Sequence, residues 1–236
     1  MTLGAIERHD TSDLDALADR ECNAALSRVL TADSIVFDVG ANLGQFATSL
    51  MSVQICTTYC FEPVPEPRAA IEDLAVLHPH IIPVNLAVSD RTGTTEFHVM
   101  AAHDGSSMLE PLAGQSSQWL TPKETIEVGS MRLDDFMRSR GIDKVDLLKS
   151  DAQGFDGHVI SSAGDYLTPD HIQAILVEVN FHSFYKGQDP FERIVELCTS
   201  HGYFLAGLFR HYNYSNWLWW ADALFLPNRA PFSTQF

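Results

Sequence analysis

The chain has 236 residues, of which 45 % are hydrophobic, and a formal net charge of −16. This length predicts one α/β domain over residues 1–236 with a sizeable core, and the negative charge disfavours nucleic acid and anionic lipid as partners. The sequence has no apolar run long enough for a transmembrane helix and no signal peptide, and its four scattered cysteines suit reduced thiols. We therefore expect a cytoplasmic protein without a membrane span.

Helices and strands alternate along the chain. The N-terminal helical segment, 1–33, is predicted to contain one helix over 13–30. Strands are predicted over 34–39, 55–61, 81–88, 94–100, 124–129, 144–150, 172–179, 203–209 and 222–226, and further helices over 43–52, 67–77, 133–140, 155–163 and 190–201. Such alternation favours a mostly parallel sheet with helices on both faces.

A glycine turn follows the first predicted strand, in the segment VFDVGANLGQFA, which contains Asp38, Gly40, Asn42 and Gly44. A strand, a glycine turn and a helix in this order are typical of a nucleotide site at the carboxyl end of a strand. Gly40 allows the tight turn, and Gly44 allows either the next helix or a ligand to approach closely. The spacing lacks one glycine of the dinucleotide motif, so a purely structural turn stays an alternative.

The ends of the second and third strands add to this site. Glu62 ends the second strand, where an acid can accept hydrogen bonds from both ribose hydroxyls. Asn85 and Ala87, at the end of the third strand, are expected near an adenine. Asp38 could hold the cationic amino-acid end of a ligand, directly or through the glycine turn. An adenosine without phosphates and with a cationic tail is S-adenosylmethionine.

Seven motifs in register resemble the FkbM family of S-adenosylmethionine-dependent methyltransferases over residues 34–226: VFDVGANLGQFA, CFEPVPEP, NLAVSDRTGTTEFHV, GSSML, RLDDFM, VDLLKSDAQGFDGHVISSAG and ILVEVN. The resemblance implies a class I methyltransferase, Rossmann-like fold: a catalytic core over 34–226 with seven strands and a C-terminal antiparallel hairpin. It also implies O-methylation, often of sugars, glycolipids or polyketide products. Where the family commonly has D-V-E-G, this chain has DAQG. Gln153 thus replaces an acid, whose role is lost or moved to Asp156.

Proton removal from a sugar hydroxyl requires a base or a metal. Asp151 and Glu178 end two neighbouring central strands and are predicted to converge on the acceptor, as catalytic groups and as candidate Mg²⁺ ligands. His182 is the leading histidine for a general base and His103 its rival. In the metal-free alternative Asp151 itself is the base. Lys149 is expected to point to the opposite face of its strand from Asp151.

Two further segments contribute candidate site residues. Ser106 and Ser107, in the GSSML motif, are candidates for hydrogen bonds to the cofactor. The aromatic segment 209–220 places Tyr212, Tyr214 and Trp217 among polar residues between the last two predicted strands, where aromatic faces suit a sugar ring. Hairpin packing or a dimer contact is the alternative for these aromatics, which leaves a homo-oligomer open.

The leading hypothesis is a small-molecule O-methyltransferase whose partner is a hydroxylated acceptor of the saccharide class. One alternative is an NAD-dependent oxidoreductase, which shares the strand-end acid but is opposed by the missing glycine. The other is a non-catalytic interaction protein on a methyltransferase scaffold. The sequence alone does not identify the acceptor.

Overall fold

The structure, a computed structural model, describes residues 20–113, 120–214 and 217–228. The strands of its main sheet are β1 Ile35–Val39, β2 Thr57–Phe61, β3 Ile81–Val84, β7 Leu147–Ser150, β8 Ile175–Asn180, β9 Tyr203–Tyr214 and β10 Trp217–Pro227. These seven strands lie in the order β3-β2-β1-β7-β8-β10-β9. All pairings are parallel except those of β10 with β8 and with β9. This sheet confirms the predicted fold class, including its C-terminal antiparallel hairpin.

Within the described ranges, five α-helices connect the strands: α1 Gln45–Leu50, α2 Pro65–Leu77, α3 Leu133–Arg140, α4 Asp156–Ser161 and α5 Phe191–Ser200. Residues 20–26 are also helical, while the first part of the predicted helix 13–30 lies outside the described residues. None of the helices in the described ranges combines the length and apolar character needed to cross a membrane.

A second, three-stranded sheet was not foreseen from the sequence. It consists of β4 Ala87–Val88, β5 Gly93–Met100 and β6 Pro122–Met131, in the order β4-β6-β5. The strand predicted over 81–88 is therefore two strands in two sheets, because the chain turns where the Leu86 amide donates to the Val84 carbonyl. Pro83 lies in β3, an edge strand, where its missing N–H is tolerated.

Both faces of the parallel part of the main sheet are buried, as expected of parallel strands covered by helices. Phe37 packs edge-on against Phe61 and Phe136 on one face, with ring centroids 5.4 and 5.6 Å away. Val36, the preceding residue of β1, faces the other side and packs in the cluster that includes Leu26 of the N-terminal helical segment. The period of two thus fixes which residues form the core, and the strands' carboxyl ends meet at one edge.

The C-terminal hairpin is longer than predicted. Pairing between β9 and β10 continues to Tyr214 opposite Trp217, with Tyr212 opposite Trp220. The expectation that the aromatic segment lies between the strands is therefore wrong, because the ladder extends through most of it. As strand residues, these aromatics have fixed faces and fixed cross-strand neighbours.

Candidate active site

A cavity of about 680 Å³ opens at the carboxyl edge of the main sheet, within the roughly 300–1,000 Å³ range of small-molecule sites. The second sheet and the loop after β5 line one side of it. Its other lining residues come from the ends of the strands: Val39, Gly40, Asn42, Phe61, Glu62, Pro63, Asp151, Ala152, Gln153, Glu178, Asn180, Tyr212 and Trp220. The cavity therefore joins part of the predicted cofactor set, including Asn42 and Glu62, to part of the predicted acceptor set, including Asp151 and Glu178.

The glycine turn is shaped by contact with the neighbouring strand. Gly40 has a φ of 71°, and a Cβ there would lie 2.0 Å from the Asp151 carbonyl oxygen, so a side chain is excluded. Gly44 lies away from the cavity, and a Cβ there would lie 2.7 Å from Leu74 Cδ1 of α2. The sequence predicts that Gly44 allows close approach of either the next helix or a ligand. In the structure it allows the close packing of α1 on α2.

Asn42 presents a polar atom without a partner. The residue lines the cavity, and its side-chain Oδ1 is buried with no hydrogen bond within the described residues. An unpaired buried acceptor is costly unless a ligand supplies a donor. The side chain is therefore suited to receive a donor group from a bound molecule.

Glu62 is a buried carboxylate in the cavity wall. It accepts hydrogen bonds from the backbone N–H of Asn42, at 3.0 Å to Oε2, and of Val64, at 2.8 Å to Oε1. Each carboxylate oxygen has a second acceptor position, so two further donors can be received from a ligand. Burial raises the pKa of Glu62 to about 7, against the lowering effect of the two backbone hydrogen bonds.

Asp38 lies behind the glycine turn and does not line the cavity. Its Oδ1 lies 3.3 Å from Lys149 Nζ, which also donates to the Gly40 carbonyl and lies 3.6 Å from Asp151 Oδ2. The expectation that Lys149 points away from Asp151 is wrong, because residues two apart share a strand face. Burial alone would lower the pKa of Lys149, but the carboxylates around it, Asp38 first, raise it. Any effect of Asp38 on a ligand therefore passes through the turn.

Of the two residues predicted near the adenine, only one lines the cavity. Ala87 lines the cavity together with Leu86 and Val88. Asn85 does not, and its Oδ1 accepts a hydrogen bond of 2.6 Å from Arg68 Nη1 instead. The apolar residues at this end are suited to a flat aromatic base, whereas Asn85 is bound to α2.

Asp151 and Glu178 converge as predicted, with the side chain of Gln153 between them. Gln153 Nε2 lies 2.8 Å from Asp151 Oδ1 and 3.3 Å from Glu178 Oε1. Burial, and next the charge of Asp151, raise the pKa of Glu178 well above its usual range. Glu178 therefore holds its proton more readily than an exposed glutamate, and Asp151, which is partly exposed, is the better candidate base.

Ser107 and Asp156 hold the loop that carries Gln153. Ser107 is buried, does not line the cavity, and its Oγ lies 2.9 Å from the Gln153 carbonyl oxygen. The neighbouring Ser106 lines the cavity, and its Oγ accepts a hydrogen bond of 3.0 Å from the Met100 amide.

Asp156 is buried and accepts hydrogen bonds from the Ala152 amide at 2.8 Å and the Gly154 amide at 3.2 Å. Burial raises the pKa of Asp156 to about 6. Since Asp156 does not line the cavity, it does not take over the position of the acid that Gln153 replaces.

Of the two histidine candidates for the general base, the structure places His103 at the cavity and not His182. His182 is exposed, lies against Trp219 with ring centroids 5.2 Å apart, and does not line the cavity. His103 does line it, through the loop after β5. Its Nδ1 is buried without a partner in the described part of the chain, and its Nε2 lies 3.5 Å from Glu66 Oε2. The sequence could not separate the two because the position of that loop depends on the second sheet.

Of the three predicted aromatics, Tyr212 lines the cavity, where Trp220 joins it. Tyr212 and Trp220 stack with centroids 3.9 Å apart and planes 7° apart, and both line the cavity. Trp217 is 70 % exposed and does not line it, while the Tyr214 side chain lies outside the described residues. Trp220 belongs to the predicted aromatic segment 209–220, but the sequence does not single it out, because its pairing with Tyr212 depends on the hairpin register.

The predicted magnesium position fits a cation poorly. The two carboxylate oxygens that would bind it face the Gln153 amide nitrogen, a donor that does not ligate Mg²⁺. Within the ranges that the structure describes, no cluster of three or more His, Cys, Asp and Glu side chains could hold a metal ion. Instead, the neutral Gln153 amide donates hydrogen bonds to the carboxyl groups of Asp151 and Glu178.

Comparison with known proteins points to one family. The family model described as the Methyltransferase FkbM domain matches residues 38–205. The chain is 29 % identical over 180 residues to the 2-O-methyltransferase NoeI of Sinorhizobium fredii, covering 71 % of this chain and 72 % of that protein. It is also 29 % identical over 198 residues to the 31-O-demethyl-FK506 methyltransferase FkbM of Streptomyces tacrolimicus, covering 74 % of each.

Among solved structures, an rRNA methylase from Streptococcus thermophilus is similar, with a TM-score of 0.51 and 10 % identity. The match covers 89 % of this chain and 95 % of that one. At this identity the likeness concerns the fold alone.

Proposed function

The chain belongs to the FkbM methyltransferase family, and from that premise we propose that it is an S-adenosylmethionine-dependent O-methyltransferase acting on a saccharide or a glycosylated natural product. The observation that carries the proposal is the single cavity that joins Glu62 at one end to Asp151, Tyr212 and Trp220 at the other. Both curated relatives have names that specify methylation at an oxygen.

The residues at the first end fit the cofactor. The Glu62 carboxylate offers acceptors for the ribose hydroxyls, the unpaired Asn42 Oδ1 offers one for a further donor, and Ala87 lies in an apolar surface for the adenine. S-adenosylmethionine, when bound, supplies a methyl group activated for transfer. The chain's own contribution at this end is binding and orientation.

The residues at the second end fit a hydroxylated ring. The stacked pair of Tyr212 and Trp220 offers an aromatic surface, and Asn180 and Asp151 offer polar groups beside it. Carbohydrates combine apolar C–H faces with hydroxyl rims, which such a mixed surface can bind. These contacts support the saccharide class, whereas the identity of the sugar is left to the experiment.

Asp151 is the proposed general base. Its Oδ2 lies 3.6 Å from Lys149 Nζ and its Oδ1 accepts from Gln153, which together orient the carboxylate. The acceptor O–H bond breaks as the new O–CH₃ bond forms, and the proton passes to Asp151. The electrons of the sulfur–methyl bond stay on the sulfur, so charge and atoms balance. His103 is the second candidate base, since it lines the same cavity.

The experiment separates this proposal from its alternatives. Thermal shift with S-adenosylmethionine, S-adenosylhomocysteine and NAD, each alone, should show stabilisation by the first two and not by the third. Methyl transfer from labelled S-adenosylmethionine to a panel of saccharides then tests the acceptor class. Absence of stabilisation by both methionine-derived ligands would favour an interaction protein on a methyltransferase scaffold. The cytoplasmic location and self-association stay predictions.

A further inference from the structure

The amide of Gln153 occupies the place where a cation would relieve the repulsion between Asp151 and Glu178. Its Nε2 lies 2.8 Å from Asp151 Oδ1 and 3.3 Å from Glu178 Oε1. A primary amide carries two N–H donors, so each carboxyl group can receive one of them. The reverse orientation would place the Gln153 oxygen against two carboxyl groups, which the electrostatics disfavour.

Contacts on the other side of Gln153 hold the residue in place. The Tyr185 hydroxyl lies 2.9 Å from both Gln153 Oε1 and the Gly105 carbonyl oxygen. Ser107 Oγ lies 2.9 Å from the Gln153 carbonyl oxygen. Gln153 itself has a φ of 52°, in the left-handed region that non-glycine residues occupy only where the surroundings determine it. The side chain is therefore held between the two acids rather than placed there by a free surface rotamer.

We propose that Gln153 is a positioning residue that replaces a divalent cation between Asp151 and Glu178, so that methyl transfer by this chain requires no added metal. The catalytic consequence of this inference rests on the proposed function. The test of metal binding does not depend on that function. The amide holds the Asp151 carboxylate in place without neutralising it, which leaves that carboxylate free to accept the acceptor's proton.

Direct binding of Mn²⁺ to the chelator-treated full chain tests the replacement. Free Mn²⁺ is followed by electron paramagnetic resonance in the wild type, Gln153→Glu, Gln153→Ala and the control Gln54→Glu. The control makes the same substitution in the turn after α1, away from the cavity. The wild type and control should bind no tighter than the roughly 10⁻⁴–10⁻³ M of weak sites.

The two Gln153 variants should gain a site. Gln153→Ala removes the amide from between the acids, and Gln153→Glu adds a third carboxylate. The second variant should bind Mn²⁺ roughly tenfold more tightly than the wild type, because affinity rises with the charge of the ligand set. If Gln153→Glu fails to fold, Mn²⁺ binding by Gln153→Ala still tests the proposal. Folded variants that bind no more Mn²⁺ than the control would overturn the proposal.

Activity supplies the second readout. Transfer to the saccharide panel by the wild type should be unchanged by chelation, whereas Gln153→Glu should lose activity in chelator and regain it with Mg²⁺. A wild-type rate lost on chelation and restored by Mg²⁺ would overturn the proposal. Calorimetry with S-adenosylhomocysteine distinguishes the two possible failures: absence of binding contradicts the proposed function, while the Mn²⁺ titration still decides the role of Gln153.

Discussion

Substitution of Glu62 tests the cofactor end of the cavity most directly. Glu62→Ala should weaken S-adenosylhomocysteine binding by about 1.5–3 kcal/mol, the range for hydrogen bonds to a charged group. That loss corresponds to a Kd increase of roughly 10- to 150-fold. Isothermal titration calorimetry measures it, and Glu196→Ala, an exposed acid on α5, is the matched control.

The same substitution has a cost for the folded state, which must be measured separately. Glu62 accepts the backbone N–H groups of Asn42 and Val64, at 3.0 and 2.8 Å, and alanine leaves both without that acceptor. Glu62→Gln keeps the shape but turns an N–H group toward one of these donors. Thermal unfolding of each variant without ligand therefore accompanies the titration, so that lost binding is not confused with lost folding.

The pH dependence of binding gives an independent check of the same carboxylate. Burial raises the pKa of Glu62 to about 7, and ribose hydroxyls donate to the ionised form. Affinity should therefore fall as the pH drops below about 7, and binding in that range should release a proton. Calorimetry in two buffers of different ionisation enthalpy measures this release, which Glu62→Gln should abolish.

Stability without ligand should change with pH in the opposite direction. Because the pKa of Glu62 in the folded state lies above its ordinary value of 4.5, its contribution to the free energy of unfolding is fully present below pH 4.5. This contribution is lost as the pH rises to about 7, so the free energy of unfolding falls by about 3 kcal/mol at most. Unchanged S-adenosylhomocysteine affinity in Glu62→Ala, with no pH dependence in the wild type, would refute this account.

Three further substitutions, with Trp217→Ala as a control, test the rest of the site. Tyr212→Ala should raise the acceptor KM without changing S-adenosylhomocysteine affinity. Trp217→Ala, outside the cavity, should change neither quantity. If Tyr212→Ala weakens acceptor and cofactor binding equally, Tyr212 has a packing role instead. Asp151→Asn should lower kcat by about 10²–10⁴-fold with cofactor affinity retained, and a full rate would transfer the role of base to His103. Gly40→Ala should lower the melting temperature, since its Cβ would lie 2.0 Å from a carbonyl oxygen, and an unchanged value would contradict that contact.

The sequence by itself determined the sheet and the residues at its carboxyl edge. Apolar, β-branched runs bounded by turn residues identify the parallel strands, and the acids at their ends, Glu62, Asp151 and Glu178, all line the cavity. These predictions succeeded because the apolar run that specifies a buried strand is a local property, and because parallel strands carry their carboxyl ends to the same edge. The motifs shared with the family fixed the order of the elements in the same way.

Only the tertiary structure decided which of the remaining candidates reach the cavity. His103 lines it and His182 does not, because the second sheet places one loop over the site and the hairpin draws the other residue against Trp219. Trp220 reaches the cavity through its cross-strand pairing with Tyr212. Gln153 lies between two acids from different strands. Such placements depend on contacts between residues far apart in the chain, which local periodicity and spacing do not encode.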